Sequence, residues 1–390
     1  MHAPCIPAMS TAASVRAPRP TTPRTRDPLV WVLVPHLETT DENLAWYCDF
    51  TQSRAEFRRA FAVLGIPWRW QKITLADHEA VIARIARSGE RRDVTVFNLC
   101  DGDESNGVPG LSIIRALERH GLRYTGSDVP FYDGTTSKID MKRAFDRAGV
   151  PTAAWEEVPP DASGAGAIFA KLGGGPLIVK PAVSAGSMGV TTKSVVRSAD
   201  DLREQMQRLR MGYHGWDLTK GGVLVERFVT GREFTTFIVG NHDAASRRLV
   251  YPPVERRFNP RLPAEERFLS FDRLWGLYEV EAPIGGDADE DLWRYAPVSR
   301  PEGARIRDAS WAAYAAVGGR GYGRVDLRQD EATGELVVLE VNAQCGLSED
   351  ELHTSIGAIL RFAGRPFAHA VAAILAASRQ RVRLAARRAA

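Results

Sequence analysis

Short apolar runs alternate with amphipathic stretches along the first third of the chain, and that alternation limits the fold more than any other feature. Leu29-Val30-Trp31-Val32-Leu33-Val34 ends at Pro35 and reads as a buried strand, as does Val94-Thr95-Val96-Phe97-Asn98-Leu99. Between them, Phe50 to Leu64 carries apolar residues at helical spacing and is stopped by Gly65 and Pro67. Trp68 to Ile73 reads as a second strand, and Val81 to Ala86 as part of a second helix. Leu111 to His120, closed by Gly121, completes the series. Strands alternating with helices predict a parallel sheet with helices on its faces.

Further on, Asp133 to Thr136 reads as a loop and Lys138 to Ala148 as a helix closed by Gly149 and Pro151. Residues 161–175 are rich in glycine and alanine and read as a flexible loop. Pro176 to Lys180 and Val190 to Val196 read as strands around a Gly/Ser loop. Asp200 to Arg210 is predicted helical, with Ser198 or Asp200 as its cap. The last third is β-rich. Val223 to Phe228 and Glu233 to Val239 flank a turn at Thr230-Gly231, and Arg324 to Gln329 and Leu336 to Val341 flank another at Glu331 to Gly334. Helices are predicted over Ala304 to Val317 and Ile356 to Ala377.

The chain has 390 residues, 44% of them hydrophobic, too many for one compact core to be expected. The reading is an α/β (α+β) fold in three lobes: an N-terminal α/β lobe over 29–132, a small central lobe over 133–220 and a C-terminal β-rich lobe over 221–378. Residues 1–28 are rich in Pro, Thr, Ala and Arg and are expected to be a disordered tail. The arginines of 379–390 are expected to form a solvated basic tail. A net charge of +3 implies no nucleic-acid partner. Four scattered cysteines, none in a CxxC pair, suggest neither a zinc site nor a disulfide framework, and fit a reducing cytoplasm. No apolar run approaches the ~20 residues of a membrane helix.

Three segments concentrate chemistry. Arg324-Val325-Asp326 opens one strand, and Glu340-Val341-Asn342 closes its expected hairpin partner. Alternate residues of a strand share a face, so these four polar side chains can meet across the hairpin. Two carboxylates and an amide oxygen are hard ligands suited to Mg²⁺, and Arg324 is placed for an anion. Two exposed salt bridges would account for the same spacing. Lys180 ends an apolar strand and leads into Pro181-Ala182-Val183-Ser184-Ala185-Gly186-Ser187-Met188-Gly189, whose small residues let backbone N–H groups approach phosphates. An unliganded hairpin is the plainer account. Glu226 to Glu233 joins two strands with a carboxylate at each end, able to accept from an amino group or ribose hydroxyls.

In this order the segments resemble the D-alanine–D-alanine ligase family of the ATP-grasp superfamily. Tyr124-Thr125-Gly126-Ser127 with Ser137 to Lys142 resembles the family's YTGS and DK segment, Pro176 to Gly189 its phosphate loop and Val223 to Phe234 its adenine hinge. Gly323-Arg324-Val325-Asp326 and Leu339-Glu340-Val341-Asn342 resemble its metal strands. The likeness spans roughly residues 95 to 360. It implies an ATP-grasp fold with ATP between the last two lobes, and an ATP-dependent carboxylate–amine ligase working through an acyl phosphate. It implies that Lys138 and Lys180 contact ATP, that Ser187 belongs to the phosphate loop, that Glu226 and the Val229 backbone read adenine, and that Glu233 binds ribose. It further implies two Mg²⁺ ions (or Mn²⁺) on Asp326, Glu340 and Asn342, and Arg324 with the Gly346 backbone at the reacting centre. The partners implied are small carboxylate and amine substrates, and the ligase class implies a homodimer.

The chain departs from that pattern on the substrate side. Pro35 to Glu42 lacks the family's glycine pair, leaving Glu38, Asp41 or Glu42 to hold a substrate amino group. Phe268 to Trp275 stands where the family carries a tyrosine and a lysine, with Arg273 expected to replace the lysine on phosphate. Gly346 to Ser355 carries Glu349-Asp350-Glu351, which would repel a carboxylate and favour a cationic amine; Ser348 or Ser355 is the alternative, binding a carboxylate. Authentic D-alanyl-D-alanine synthesis and a nucleotide-binding protein without catalysis remain the alternative functions.

Overall fold

The structure is a computed structural model that describes residues 28–41, 45, 48–88, 93–275, 292–351 and 354–389, with side chains of the last helix as far as Arg379. The expected N-terminal tail and Glu42 lie outside the described residues.

The N-terminal lobe runs β1 (Pro28–Pro35), α1 (Thr51–Leu64), β2 (Trp68–Ile73), α2 (His78–Ser88), β3 (Asp93–Asn98), α3 (Leu111–Arg119) and β4 (Arg123–Tyr124). Its strands form a parallel sheet in the order β2-β1-β3-β4, as the alternation predicts. Strand β1 is apolar throughout because both its faces are covered. Val30, Val32 and Val34 point into one core with Phe57 and Phe61, while Leu29, Trp31 and Leu33 point into another with Ile82, Ile85, Ile113 and Leu117.

Two helices follow, α4 (Val129–Thr136) and α5 (Lys138–Ala148). The segment from Asp133 to Thr136, expected as a loop, is the last turn of α4. Asp128 caps that helix by accepting from the Phe131 N–H at 3.2 Å, a local signal that extends it through Gly134. Ser137 then caps α5, and Gly149 ends it in the left-handed conformation.

The central elements are β5 (Trp155–Glu157), α6 (Ala165–Lys171), β6 (Leu177–Pro181), β7 (Val195–Val196), α7 (Ala199–Met211) and β8 (Val223–Arg227). The stretch expected as a flexible loop contains α6, whose Ala165 and Phe169 are buried. The strand expected from Val190 is short, because Thr191 opens a 3-10 turn over Thr192–Ser194. Ser198 is the cap of α7.

The C-terminal elements are β9 (Glu233–Val239), β10 (Leu249–Val250), β11 (Val254–Phe258), α8 (Phe271–Trp275), β12 (Trp293–Pro297), α9 (Arg300–Ala316), β13 (Tyr322–Gln329), β14 (Leu336–Ala343), α10 (Ser355–Phe362) and α11 (Phe367–Ala389). The single last helix expected is therefore two, parted at Ala363 to Pro366. The expected basic tail continues α11 as far as Ala389. Among the described residues no single helix is long and apolar enough to cross a membrane.

Strand pairing redraws the lobes. The strands β8 and β9, expected as one hairpin, belong to different sheets: β8 joins β5-β8-β6-β7, and β9 joins β12-β11-β9-β13-β14. Residues Phe228 to Arg232 thus cross between lobes instead of turning back. Helix α5, expected in the central lobe, packs with α4 through Phe131, Met141 and Phe145 onto Phe234, Val325 and Val341 of the C-terminal sheet. The N- and C-terminal lobes also share a core, in which Phe57 and Phe97 meet Phe237, Ile356 and Val371.

Gln344, just past β14, ties these parts together. Its Nε2 donates to the Cys100 carbonyl at 2.6 Å, and its Oε1 accepts from the Ser127 N–H at 3.1 Å. It is buried and holds a left-handed backbone at φ 53°. Gln344→Leu would leave two backbone groups unpaired, at about 1–3 kcal/mol each. The expected loss of about 2–6 kcal/mol is read from the shift of the denaturant midpoint at constant slope.

Candidate active site

The hairpin β13–β14 brings the late constellation together. Arg324 lies opposite Asn342 and Asp326 opposite Glu340. The Arg324 guanidinium donates to both Asp326 oxygens, from Nε at 3.0 Å and from Nη2 to Oδ2 at 2.8 Å. Asn342 Nδ2 donates to Asp326 Oδ2 at 3.0 Å and to Glu340 Oε1 at 3.2 Å, and Thr235 on β9 donates to Asp326 Oδ1 at 2.7 Å. Burial opposes the charge on Asp326, but Arg324 and Thr235 outweigh it and hold the carboxyl below its usual range. The register shifts between Asp326 and Leu327, and the adjacent residues Leu339 and Glu340 both line the cavity above the hairpin.

Opposite stands a cluster of lysines. Lys180 ends β6 with its Nζ 2.6 Å from Glu226 Oε1, and Lys142 on α5 places its Nζ 2.5 Å from Glu226 Oε2. Lys138, one helical turn before Lys142, donates to the Ser184 carbonyl at 3.1 Å and lies 4.0 Å from Glu340. Glu226 is 2% exposed. Burial alone would raise its pKa, but Lys142 and Lys180 together hold it down at about 2. Burial also draws the ammonium groups of Lys138 and Lys142 below their ordinary values, with Glu340 and Glu226 opposing.

The loop from Ala182 to Gly189 closes one side. Ser187 sits at φ 61°, an unusual conformation for a residue with a side chain, and donates to the Leu269 carbonyl at 3.0 Å. The Arg324, Asp326, Glu340 and Asn342 side chains, the three lysines, Glu226 and the loop from Val183 to Ser187 line a cavity of about 390 Å³ that also takes in Gly346 and Ser355. A larger hollow of about 1000 Å³, lined by His36, Glu38, Cys48 and Lys72, carries none of them, so the chemistry belongs to the smaller one.

Some expected residues are engaged elsewhere. Arg273 is held by Glu266, at 2.8 Å to its carboxylate and 2.7 Å to its carbonyl, and does not line the cavity. Glu233 lines it but is bound by Arg328 at 2.7 Å and by Arg256. The Val229 carbonyl accepts from Arg328 at 2.8 Å. The three acids of the Gly346 to Ser355 loop are also partnered: Glu349 with Arg59, Asp350 with Gln52, and Glu351 with Arg361. Only Glu351 of the three lines the cavity. Ser348 donates to the buried Glu56 of α1 at 2.8 Å, and so anchors the loop.

Several lining residues escaped the sequence reading. Lys142 lies four residues after Lys138, on the same helix face, and Arg328 two after Asp326, on the same strand face, so periodicity held a signal for both. Arg256, Trp293 and Tyr295 come from β11 and β12, strands with no expectation. Asp101 follows β3 and faces the cavity with no such periodic cue.

The family model for the D-Ala–D-Ala ligase C-terminus matches residues 145–375. A D-alanine–D-alanine ligase of Desulforudis audaxviator is 31% identical over 251 residues, 64% of this chain and 70% of that protein. One of Chromohalobacter salexigens is 28% identical over 324 residues, 78% of this chain and 90% of that protein. The solved D-alanine–D-alanine ligase of Bacillus anthracis complexed with ATP superposes with a TM-score of 0.60 at 19% identity, covering 91% of this chain and 98% of that one. The fold is thus the ATP-grasp fold, and the protein is a ligase of the carbon–nitrogen bond-forming kind. The chain belongs to the D-alanine–D-alanine ligase family.

The Glu226 carboxylate yields a pH signature. Its stabilising charge is fully present above the unfolded value near 4.5 and is lost as pH falls through about 2. A carbon-detected NMR titration should find it ionised well below pH 4, and Lys142→Met should move the midpoint upward.

Proposed function

We propose that this chain uses ATP to join a carboxylate to an amine, releasing ADP and phosphate. The main support is the hairpin of Arg324, Asp326, Glu340 and Asn342 facing Lys138, Lys142 and Lys180 across one cavity. Lys180 and Lys138 hold the phosphates as point charges, and the small residues from Ala182 to Gly189 bring backbone close to them. Glu226 and the Phe228–Val229 backbone meet the adenine edge. Glu233 reaches the ribose once Arg256 and Arg328 share it.

The Asn342 amide lies within hydrogen-bond distance of the Asp326 and Glu340 carboxylates through its Nδ2, and the oxygens these three side chains carry suit Mg²⁺, or Mn²⁺ by the same oxygen chemistry. Among the described residues no three His, Cys, Asp or Glu side chains gather as a closed metal cage. The protein therefore supplies part of the ligand set, and phosphate oxygens complete it. Bound there, two Mg²⁺ ions would neutralise charge on the phosphates.

The substrate carboxylate attacks the γ-phosphorus, the bond to ADP breaks, and an acyl phosphate results. Arg324, fixed by Asp326, offsets charge on the transferring oxygens and then on the tetrahedral intermediate, beside the Gly346 backbone. A neutral amine attacks the acyl carbon, and phosphate leaves with the bonding pair. No enzyme nucleophile is needed.

The names of the relatives support D-alanine as both acid and amine, the first pair to test. A different acid–amine pair is the second reading, favoured by Glu38, which is exposed and lines the other hollow, so that the expected amino-group anchor is missing from the reacting cavity. A matrix of acids against amines, with ADP release as readout, should show release that needs both substrates and a divalent cation. Asp326→Asn and Arg324→Ala should each lower turnover by about a hundredfold to a thousandfold, with Arg324→Ala also lowering the thermal midpoint because it strips the buried Asp326 of its cation. Activity surviving both changes would sink the assignment.

A further inference from the structure

Two acids after β3 line the reacting cavity: Asp103 accepts from the Asn106 N–H and from its side-chain amide, each at 3.1 Å, which leaves Asp101. It follows β3 at the carboxyl end of the parallel strands, the side on which such sheets bind ligands. Its backbone is held firmly. The Gly102 N–H donates to the Pro109 carbonyl at 3.0 Å, the Gly102 carbonyl accepts from Tyr132 Oη at 2.8 Å, and a Cβ at Gly102 would meet the Val108 carbonyl oxygen at 2.2 Å.

Among the described residues no cationic side chain pairs with Asp101, whose side chain is exposed to the cavity, and the protein packed around it draws its carboxyl up to about 6. The groups whose titration it influences are Cys48, Cys100, Tyr132, Tyr322 and Cys345, which are all acids or neutral at pH 7. Asp101 thus presents an unpaired carboxylate to the cavity. A second, independent feature lies in the same cavity: Ser355, the first residue of α10, is 3% exposed, and its Oγ makes no hydrogen bond among the described residues. A buried hydroxyl left unpaired is costly unless a ligand completes it.

The other candidate anchors are out of place. Glu38 lines the separate hollow, and Asp41 is 3.0 Å from His214. Glu351 lines the reacting cavity but carries Arg361 at 2.7 Å.

We propose that Asp101 is a specificity-determining residue that binds an ammonium group of a substrate, with the Ser355 hydroxyl completing the substrate's polar contacts in the same cavity. The inference rests on the ligase reading and names its substrate class: at least one substrate carries an ammonium that is not the attacking nitrogen. Two sources share that chemistry, the α-ammonium of an amino acid serving as the acid, and a distal ammonium of the amine. In the first, the anchor of the amino group sits after β3 and not after β1.

The test is binding to the full-length protein in the presence of Mg²⁺ and a non-hydrolysable ATP analogue, followed by calorimetry. D-alanine against propionate probes the first source, and D-lysine against D-norleucine the second. The wild type should prefer the ammonium-bearing member of at least one pair by about tenfold or more, the worth of a charge-assisted hydrogen bond. Asp101→Asn should erase that preference, Asp101→Glu should restore part of it, and Ser355→Ala should weaken both members of the pair. Affinity for the ATP analogue should stay the same in every variant. The proposal is overturned if the wild type prefers neither ammonium-bearing probe, or if Asp101→Asn keeps the preference with its thermal midpoint intact. Failure of the wild type to bind the ATP analogue would instead count against the ligase reading itself.

Discussion

Glu226 is a buried carboxylate that two ammonium groups share, and one side of the cavity is organised around it. Lys180 reaches it from the end of β6 and Lys142 from α5, at 2.6 and 2.5 Å. Removing three charges from water is expensive, and such a cluster persists only when its members satisfy one another. The cluster also joins two bodies. Strand β8, which carries Glu226, belongs to the central sheet, whereas α5 packs on the C-terminal sheet. The central lobe and the β13–β14 hairpin are thereby held in register across the cavity. Lys138, one turn earlier on the same helix, then faces Glu340.

The hairpin depends on a similar balance at its own end. Asp326 is surrounded by Arg324, Thr235 and Asn342, so its charge is retained although it is 8% exposed. The register shift beside it lets Leu339 and Glu340 face the same side, where strict alternation would send one of them into the core. Beneath, Val325 and Val341 pack on Phe131, Phe145 and Phe234, giving the polar face a rigid apolar base.

The substrate end is built differently. The Gly346 to Ser355 loop is anchored through Ser348 to Glu56, and its outer acids are spent on Arg59 and Gln52 of α1. The argument from three free acids to a cationic amine therefore loses its basis in this loop. The charge that faces the cavity comes from Asp101, on another lobe. Arg273, likewise, is committed to Glu266 before it could reach a phosphate.

Local chemistry in the chain was enough for the parallel sheet, the helix α5 with its Ser137 cap and Gly149 stop, the hairpin of Arg324 to Asn342, and the lysines at 138 and 180. Each rests on periodicity, capping or spacing within a few residues, which sequence carries directly. The allocation of β8 and β9 to different sheets was not legible, because an apolar strand–turn–strand pattern reads the same whether the chain turns back or crosses between lobes. Nor were the partners of Glu233, Arg273 and Glu349, since those depend on residues brought from distant elements. By itself the sequence determined many of the elements, the family, and that Lys138, Lys180 and the Arg324 to Asn342 hairpin carry chemistry. Tertiary structure alone decided which charges neutralise one another and which, like Asp101, are left facing the cavity, because a carboxylate's partners are set by packing across lobes and not by neighbours in the chain.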